Sequence, residues 1–276
     1  MKTYEVELKE IYSFVKGGKL SCILMDCPHC NEESWKRPAV IVAPGGGYNH
    51  ISPRESEPVA TAFLARGFQT FVLSYTVGEE ARYPQPLLQL SAAVDYVKKN
   101  AEALHVNPEE VFVVGFSAGG HLAGNLSVEH QNVSKKAGTA VDCKPTAVGL
   151  CYALVSHKLN VHPHVYDYLL YGYSEEEQEG LWEVRNLDEA VNEETPPAFI
   201  WATAEDKVVL PTNSLAYAMA LAKHNIPYEV HVYPRGGHGT STANLEVNEF
   251  SPAFEKIKRW VDDCAEFFRM FVTEPF

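Results

Sequence analysis

Long apolar runs are missing from this chain of 276 residues. No stretch approaches the roughly 20 apolar residues that a membrane-spanning helix needs. Basic residues are also in deficit, since 23 lysines and arginines stand against 36 aspartates and glutamates, which gives a formal net charge of −13. Nucleic acids and anionic membrane surfaces repel such a chain, so we expect neither as a partner.

Cysteine is sparse, and the first ten residues lack the apolar core of a signal peptide. Six cysteines in a chain of this size, without such a signal, indicate reduced thiols in a cytoplasmic protein. Two of them form the motif Cys27-Pro28-His29-Cys30, which could supply half of a zinc site. Because no second ligand pair follows at a suitable spacing, we expect an ordinary loop and no bound metal.

What the chain does contain is an alternation of strand-like and helix-like patterns. After an opening hairpin with strands at 4–10 and 20–25, apolar runs predict strands at 38–43, 69–75, 111–114, 146–152, 197–203 and 228–233. Amphipathic patterns between and after them predict helices beginning at Ser52 and following Ser117, and covering 86–104, 211–224 and 252–271. The alternation predicts a single α/β domain over 1–276 with a doubly wound, mostly parallel sheet.

The start of the first long helix is predicted from one tetrapeptide, Ser52-Pro53-Arg54-Glu55. It combines a capping box, in which Ser52 and Glu55 would each bond the other's backbone N–H, with proline at the first helical position.

One stretch interrupts the alternation. More than 40 residues lie between the strands that end near 152 and begin near 197, with histidines at 157, 162 and 164 and an acidic run at 174–180. Loops of that length inside a domain are usually functional. We therefore expect 153–195 to form a small cap insertion at the carboxyl end of the sheet, the alternative being a surface excursion without a role.

The strand at 111–114 leads into Gly115-Phe116-Ser117-Ala118-Gly119, and an apolar helix face follows. Strand, G-x-S-x-G and helix together are typical of a nucleophile elbow, where small residues permit a tight turn that exposes the serine. The Ala118 N–H would then point from the helix start toward whatever Ser117 attacks. A glycine-rich turn without chemistry is the alternative that the pattern alone leaves open.

A serine nucleophile needs a base and an orienting acid, which on such folds follow it in the order acid, then histidine. After the strand at 197–203, Asp206 is the favoured acid and Glu205 the alternative. His238 stands between glycines on the loop after the last strand, where it has freedom to reach the serine. His121 lies one helical turn beyond Ser117, and we expect it to pack and not to act as the base.

A run of three glycines, Gly45-Gly46-Gly47, ends the strand at 38–43. Consecutive glycines let the backbone approach an oxyanion closely and direct N–H groups at it. The competing use, a phosphate cradle, is disfavoured because the Lys-Ser/Thr pair of a P-loop does not follow.

The sequence resembles α/β-hydrolases of the carbohydrate-esterase and lipase-like group, including bacterial acetyl-xylan or sugar esterases. The resemblance covers nearly the whole chain and is carried by Arg37–Tyr48, Gly115–Leu122, Thr195–Trp201 and Gly236–Gly239. It implies the α/β-hydrolase fold with a triad of Ser117, Asp206 and His238. It also implies oxyanion donors at Ala118, Gly46 and Gly47. Lipase-like relatives carry histidine where this chain has Pro44, which favours the sugar-esterase branch and leaves the donors within the glycine run open.

These features predict a serine carboxylesterase that hydrolyses short acyl esters, acetyl foremost, on small sugars, through an acyl-enzyme. We expect no metal and no organic cofactor, and a small-molecule ester as the partner. The oligomeric state is left open, with a homodimer as one option. A serine peptidase of the prolyl-oligopeptidase type and a non-catalytic hydrolase-fold binding protein are the alternatives.

Overall fold

The computed structural model describes residues 1–27, 35–159 and 166–273. Eight strands among them form one sheet in the order β1-β2-β4-β3-β5-β6-β7-β8. The strands are β1 (Lys2–Glu7), β2 (Lys19–Leu24), β3 (Arg37–Ala43), β4 (Gln69–Ser74), β5 (Val106–Phe116), β6 (Val148–Cys151), β7 (Ala198–Thr203) and β8 (Tyr228–Tyr233). The pairs β1–β2 and β2–β4 are antiparallel and the pairs from β4 through β8 are parallel, so the predicted opening hairpin and mostly parallel sheet are confirmed.

Helices cover both faces of this sheet. They are α1 (Leu8–Ile11), α2 (Glu57–Leu64), α3 (Gln85–Lys99), α4 (Ala118–Ala137), α5 (Glu175–Gly180), α6 (Trp182–Arg185), α7 (Leu187–Ala190), α8 (Thr212–Lys223), α9 (Phe254–Ile257) and α10 (Trp260–Arg269). Val113 of β5 belongs to the apolar core that includes side chains of α3, α4 and α8, and its neighbour Val114 belongs to the apolar core that includes side chains of α2 and α10. Alternate residues of a buried strand thus serve opposite layers, which explains why its sequence is continuously apolar. The doubly wound α/β class is confirmed.

The helix predicted to begin at Ser52 begins later. A 3₁₀ turn covers Pro53–Glu55, the Ser52 side chain makes no capping hydrogen bond, and α2 starts at Glu57. The predicted capping box was wrong because the Glu55 carboxylate turns inward, where it is 4% exposed and accepts hydrogen bonds from buried groups.

Other element boundaries also differ from the predictions. The first strand ends at Glu7, since Leu8 is fully buried and starts α1. The helix predicted over 252–271 is divided into α9 and α10, although Lys258 and Arg259 between them keep right-handed helical backbone angles.

Membrane-spanning helices and disulfides can be examined in the described part of the chain. In residues 1–27, 35–159 and 166–273, no helix has the length and apolar character to cross a membrane. Cys22, Cys143, Cys151 and Cys264 are buried and not disulfide-bonded. Cys30 lies outside the described residues.

The segment 153–195, of which 153–159 and 166–195 are described, holds α5, α6 and α7. Leu187 N–H donates to the Val155 carbonyl at 2.9 Å, and Ser156 Oγ–H donates to Asn186 Oδ1 at 3.2 Å. These contacts tie the end of the segment to its beginning. His162 and His164, named in the sequence pattern, lie outside the described residues.

His121, in the first turn of α4, joins this segment to the loop after β3. A carbonyl can only accept a hydrogen bond, so the Nε2 of His121 carries the proton and donates to the Val184 carbonyl at 2.7 Å. The Nδ1 of His121 accepts a hydrogen bond from the Tyr48 hydroxyl at 2.7 Å. The imidazole is fully buried, and this burial lowers the pKa of His121 from 6.5 to about 4. His121 is therefore a neutral packing residue that bridges two elements, as expected.

The burial of His121 predicts that this residue contributes to the protein's loss of folding stability at low pH. Because the folded pKa lies below the unfolded one, the unfolded chain binds more protons between pH 6.5 and 4, and stability falls as the pH drops through that window. The loss attributable to His121 should be on the order of 3 kcal/mol. Denaturant unfolding of wild type and His121→Gln at a series of pH values should show a shallower pH slope for the variant.

The exposed His224 offers a matched control. His224→Gln should keep the wild-type pH slope of the unfolding free energy. An unchanged slope in His121→Gln would contradict the assignment of this component to His121.

Candidate active site

Ser117 joins β5 to α4 in a backbone conformation that is rare for a residue with a side chain. Its φ is 51° and its ψ is −115°. Such a conformation costs about 1–3 kcal/mol and persists only where the surroundings enforce it. Here Ser117 N–H donates to the Cys151 carbonyl at 3.0 Å, and a Cβ on Gly119 would lie 2.1 Å from the Ala43 carbonyl oxygen. The tight turn predicted from the glycines is therefore present.

His238 lies on the loop after β8 and reaches this serine. Its Nε2 is 2.9 Å from Ser117 Oγ, and its Nδ1 is 2.7 Å from Asp206 Oδ2. With the Asp206 carboxylate accepting from Nδ1–H, Nε2 is the acceptor for the Ser117 hydroxyl. The structure thus brings together three residues that are widely separated in the sequence.

Asp206 is buried and rigidly oriented. Its Oδ1 accepts the N–H groups of Val208 at 2.8 Å and Val209 at 3.0 Å, which leaves Oδ2 for the histidine. The carboxylate of the alternative acid, Glu205, bonds groups other than His238. It pairs with Arg235 at 2.9 Å and accepts the Gly236 N–H at 3.0 Å, and that N–H is the main cause that lowers the pKa of Glu205.

The glycine loop after β3 lies beside the elbow. Gly45 N–H donates to Glu55 Oε2 at 2.9 Å and so cannot serve an oxyanion. Gly46 and Gly47 have φ values of 126° and 63°. Among the hydrogen bonds within the described chain, none outside a helix or strand uses the N–H of Gly46, Gly47 or Ala118. These are the three donors that the resemblance implied.

Tyr152 is a site residue that the sequence reasoning missed. It follows β6 at a φ of 37°, and its ring packs edge-on against His238 with ring centroids 5.0 Å apart. Its hydroxyl donates to Glu55 Oε1 at 2.6 Å and accepts the Ser241 N–H at 3.0 Å. No sequence motif identifies a tyrosine at the end of a strand as a site residue. Its partner Glu55 fitted the pattern of a helix capping box, which predicted a different role for that carboxylate.

The motif Cys27-Pro28-His29-Cys30 raised the possibility of a metal site. The described ranges contain no group of three or more His, Cys, Asp or Glu side chains that could hold a metal ion. The second cysteine of the 27–30 motif lies outside those ranges.

Comparisons with known proteins identify the family of this chain. The model of the BD-FAE family matches residues 25–221. Endo-1,4-beta-xylanase B of Butyrivibrio fibrisolvens is 35% identical over 79% of this chain and 35% of its own length. Acetylxylan esterase of Xylanibacter ruminicola is 27% identical over 73% of this chain and 40% of its own length.

A solved structure is similar over almost its full length. It is an acetyl ester-xyloside bifunctional hydrolase from Caldicellulosiruptor lactoaceticus, 30% identical, with a TM-score of 0.80 over 97% of this chain and 96% of that one. The chain spans less than half the length of the two curated relatives named above. The strand order, the elbow and these similarities show that the chain has the α/β-hydrolase fold and belongs to the BD-FAE family.

Proposed function

We propose that the protein is a serine carboxylesterase that removes short acyl groups, acetyl foremost, from sugars. The observation that carries the proposal is the relay of two hydrogen bonds, from the hydroxyl of Ser117 to His238 and from His238 to the buried Asp206. A serine on a strained elbow with a base and an orienting acid is the arrangement that acyl transfer requires.

In the first half-reaction, Ser117 Oγ attacks the ester carbonyl carbon and its proton passes to His238 Nε2. The tetrahedral intermediate collapses, the C–O bond to the alcohol breaks, and His238 returns the proton to the departing alkoxide. In the second half-reaction, water attacks the acyl-enzyme, His238 takes its proton, and the acid leaves as the proton returns to Ser117. Asp206 holds the imidazole in the required tautomer and stabilises the imidazolium. This chemistry needs no metal or organic cofactor.

The negative charge that develops on the carbonyl oxygen needs donors beside Ser117. We assign Ala118, Gly46 and Gly47 to this role. The hydrogen bond from the Gly45 N–H to Glu55 supports the assignment, because it excludes the first glycine of the run as an oxyanion donor. Fixed backbone donors of this kind contribute about 10²- to 10³-fold each to kcat.

The substrate class rests on the named relatives. A curated relative is an acetylxylan esterase, and the similar solved structure is a hydrolase of acetyl esters and xylosides. We propose that 153–195 caps the site, since Leu154 N–H donates to the Ser117 carbonyl at 3.3 Å and so brings the start of this segment against the elbow. A capped site favours a short acyl chain.

The first prediction concerns the nucleophile. Ser117→Ala should reduce hydrolysis of p-nitrophenyl acetate by at least about 10⁴-fold, because no acyl-enzyme can form. Ser127→Ala is a matched control on α4, the helix that follows Ser117, and it should keep near-wild-type kcat. Activity of more than a few per cent in Ser117→Ala would contradict the proposed nucleophile.

The second prediction separates the two candidate acids. Asp206→Asn should lower kcat on the order of 10⁴-fold, since the amide no longer selects the productive histidine tautomer. Glu205→Gln should change kcat only by a factor of a few, because Glu205 contacts Arg235 and Gly236 and not His238. The opposite ranking of the two kcat values would move the orienting role to Glu205.

The third prediction concerns acyl length. With p-nitrophenyl esters, kcat/KM should fall by at least about tenfold from acetate to octanoate, because a cap closed over the acyl side of the site would leave no room for added methylenes. A value that rises through octanoate and decanoate would favour a lipase-like site instead.

A further inference from the structure

Glu55 is a buried carboxylate that lies between two parts of the proposed site. It ends the 3₁₀ turn Pro53–Glu55 and is 4% exposed. Its two oxygens have different partners, since Oε2 accepts the Gly45 N–H at 2.9 Å and Oε1 accepts the Tyr152 O–H at 2.6 Å. Both bonds use the carboxylate as an acceptor, and this satisfies a charge that would be costly to bury alone.

The first partner, Gly45, lies against the nucleophile. A Cβ built on Gly45 would be 2.7 Å from Glu55 Oε2 and 3.1 Å from Ser117 Cβ. The glycine run therefore passes between the carboxylate and the serine with no space for a side chain. The bond to Glu55 fixes the peptide group at the start of the run. The carbonyls of Gly45 and Gly46, which share peptide groups with the N–H groups of Gly46 and Gly47, accept the N–H groups of Ser52 and Asn49, each at 3.0 Å.

The second partner, Tyr152, lies against the base. Its ring packs on His238, and its hydroxyl also accepts the Ser241 N–H from the loop that follows His238. Burial, reinforced by the charge of Glu55, raises the pKa of Tyr152 far above its usual value. The hydroxyl thus remains protonated and donates to Glu55 throughout the neutral pH range.

The turn that carries Glu55 is itself fixed at the same loop. Ser241 Oγ–H donates to the Arg54 carbonyl, and the Trp260 indole N–H donates to the Ser241 carbonyl at 2.9 Å. The Ser56 hydroxyl bonds the Ser52 carbonyl at 2.8 Å. Glu55 therefore stands on an anchored turn and has little freedom to follow a displaced partner.

We propose that Glu55 is a positioning residue for the esterase reaction, an inference that rests on the proposed function. Its carboxylate sets the glycine run so that the N–H groups of Gly46 and Gly47 remain for the oxyanion, and it holds the Tyr152 ring against His238. The hydrogen bonds of the Glu55 carboxylate go to Gly45 and Tyr152 and not to the proposed reacting groups. It acts by keeping the oxyanion donors and the base in register on the two sides of Ser117.

The test is Glu55→Gln, which keeps the side-chain shape and replaces one acceptor oxygen with a donor. Because Gly45 N–H and Tyr152 O–H both require acceptors, one bond must break or reverse. We expect kcat on p-nitrophenyl acetate to fall by about 10- to 100-fold while KM changes by less than about threefold, since the loss affects the transition state. The inhibition constant of a trifluoromethyl ketone, whose adduct with serine carries an oxyanion, should rise in parallel with the fall in kcat.

Glu57→Gln is the matched control, because Glu57 is an exposed residue two positions after Glu55. The substitution changes the net charge by the same amount as Glu55→Gln. It should keep the wild-type kcat and inhibition constant. A folded Glu55→Gln with wild-type kcat and ketone affinity would overturn the proposal.

Should Glu55→Gln fail to fold, Tyr152→Phe carries the test, since it removes only the hydroxyl bonded to Oε1. A fall in kcat of about 5-fold or more with an unchanged KM would support the proposal, and an unchanged kcat would overturn it. Ser117→Ala, assayed in parallel, separates the two claims. If Ser117→Ala is inactive and Glu55→Gln is fully active, only the role of Glu55 fails, whereas an active Ser117→Ala refutes the esterase mechanism itself.

Discussion

The backbone conformation of Ser117 is the constraint on which the rest of the site depends. A serine at a φ of 51° is held there by the Cys151 carbonyl and by a helix start that admits no Cβ at Gly119. The strain is sustained because β5 is a buried strand in the centre of the sheet, paired on both sides. His238 and Asp206 can meet the hydroxyl only because the carboxyl ends of β7 and β8 lie at the same edge of that sheet. The chemistry we propose is therefore a consequence of sheet order as much as of the three side chains.

Two networks meet at the glycine loop after β3. On one side, Tyr48 and His121 connect the loop to the insertion through the Val184 carbonyl. On the other, Gly45 and Glu55 connect it to Tyr152 and the loop that carries His238. A loop with three consecutive glycines would be mobile alone, so the donor role that we propose for it requires such anchors. The two networks supply them with side chains that are buried and hydrogen-bonded.

Sequence patterns predicted the sheet because each parallel strand is a continuous apolar run, as in β7. The residues Ser117, Asp206 and His238, which contact one another, follow in the order expected along the chain. They failed where a tertiary contact outweighed a local preference. Glu55 stands three residues after Ser52 and fits a capping box, yet its carboxylate bonds Gly45 and Tyr152, and the helix begins at Glu57 instead. Tyr152 carried no local signal, since its partners come from residues far away in the chain. Long-range bonds of buried polar groups are the part of such a site that local patterns do not encode.

We propose that Ser117 alone forms the covalent bond to the acyl group. The most direct measurement is reaction of the protein with a p-nitrophenyl phosphonate, followed by peptide mass spectrometry and a parallel assay of residual activity. This role of Ser117 predicts one adduct per chain, on the peptide that contains Ser117, with loss of activity in proportion to labelling and no adduct in Ser117→Ala. Full labelling of Ser117 with activity retained, or inactivation that follows modification of another residue, would contradict it.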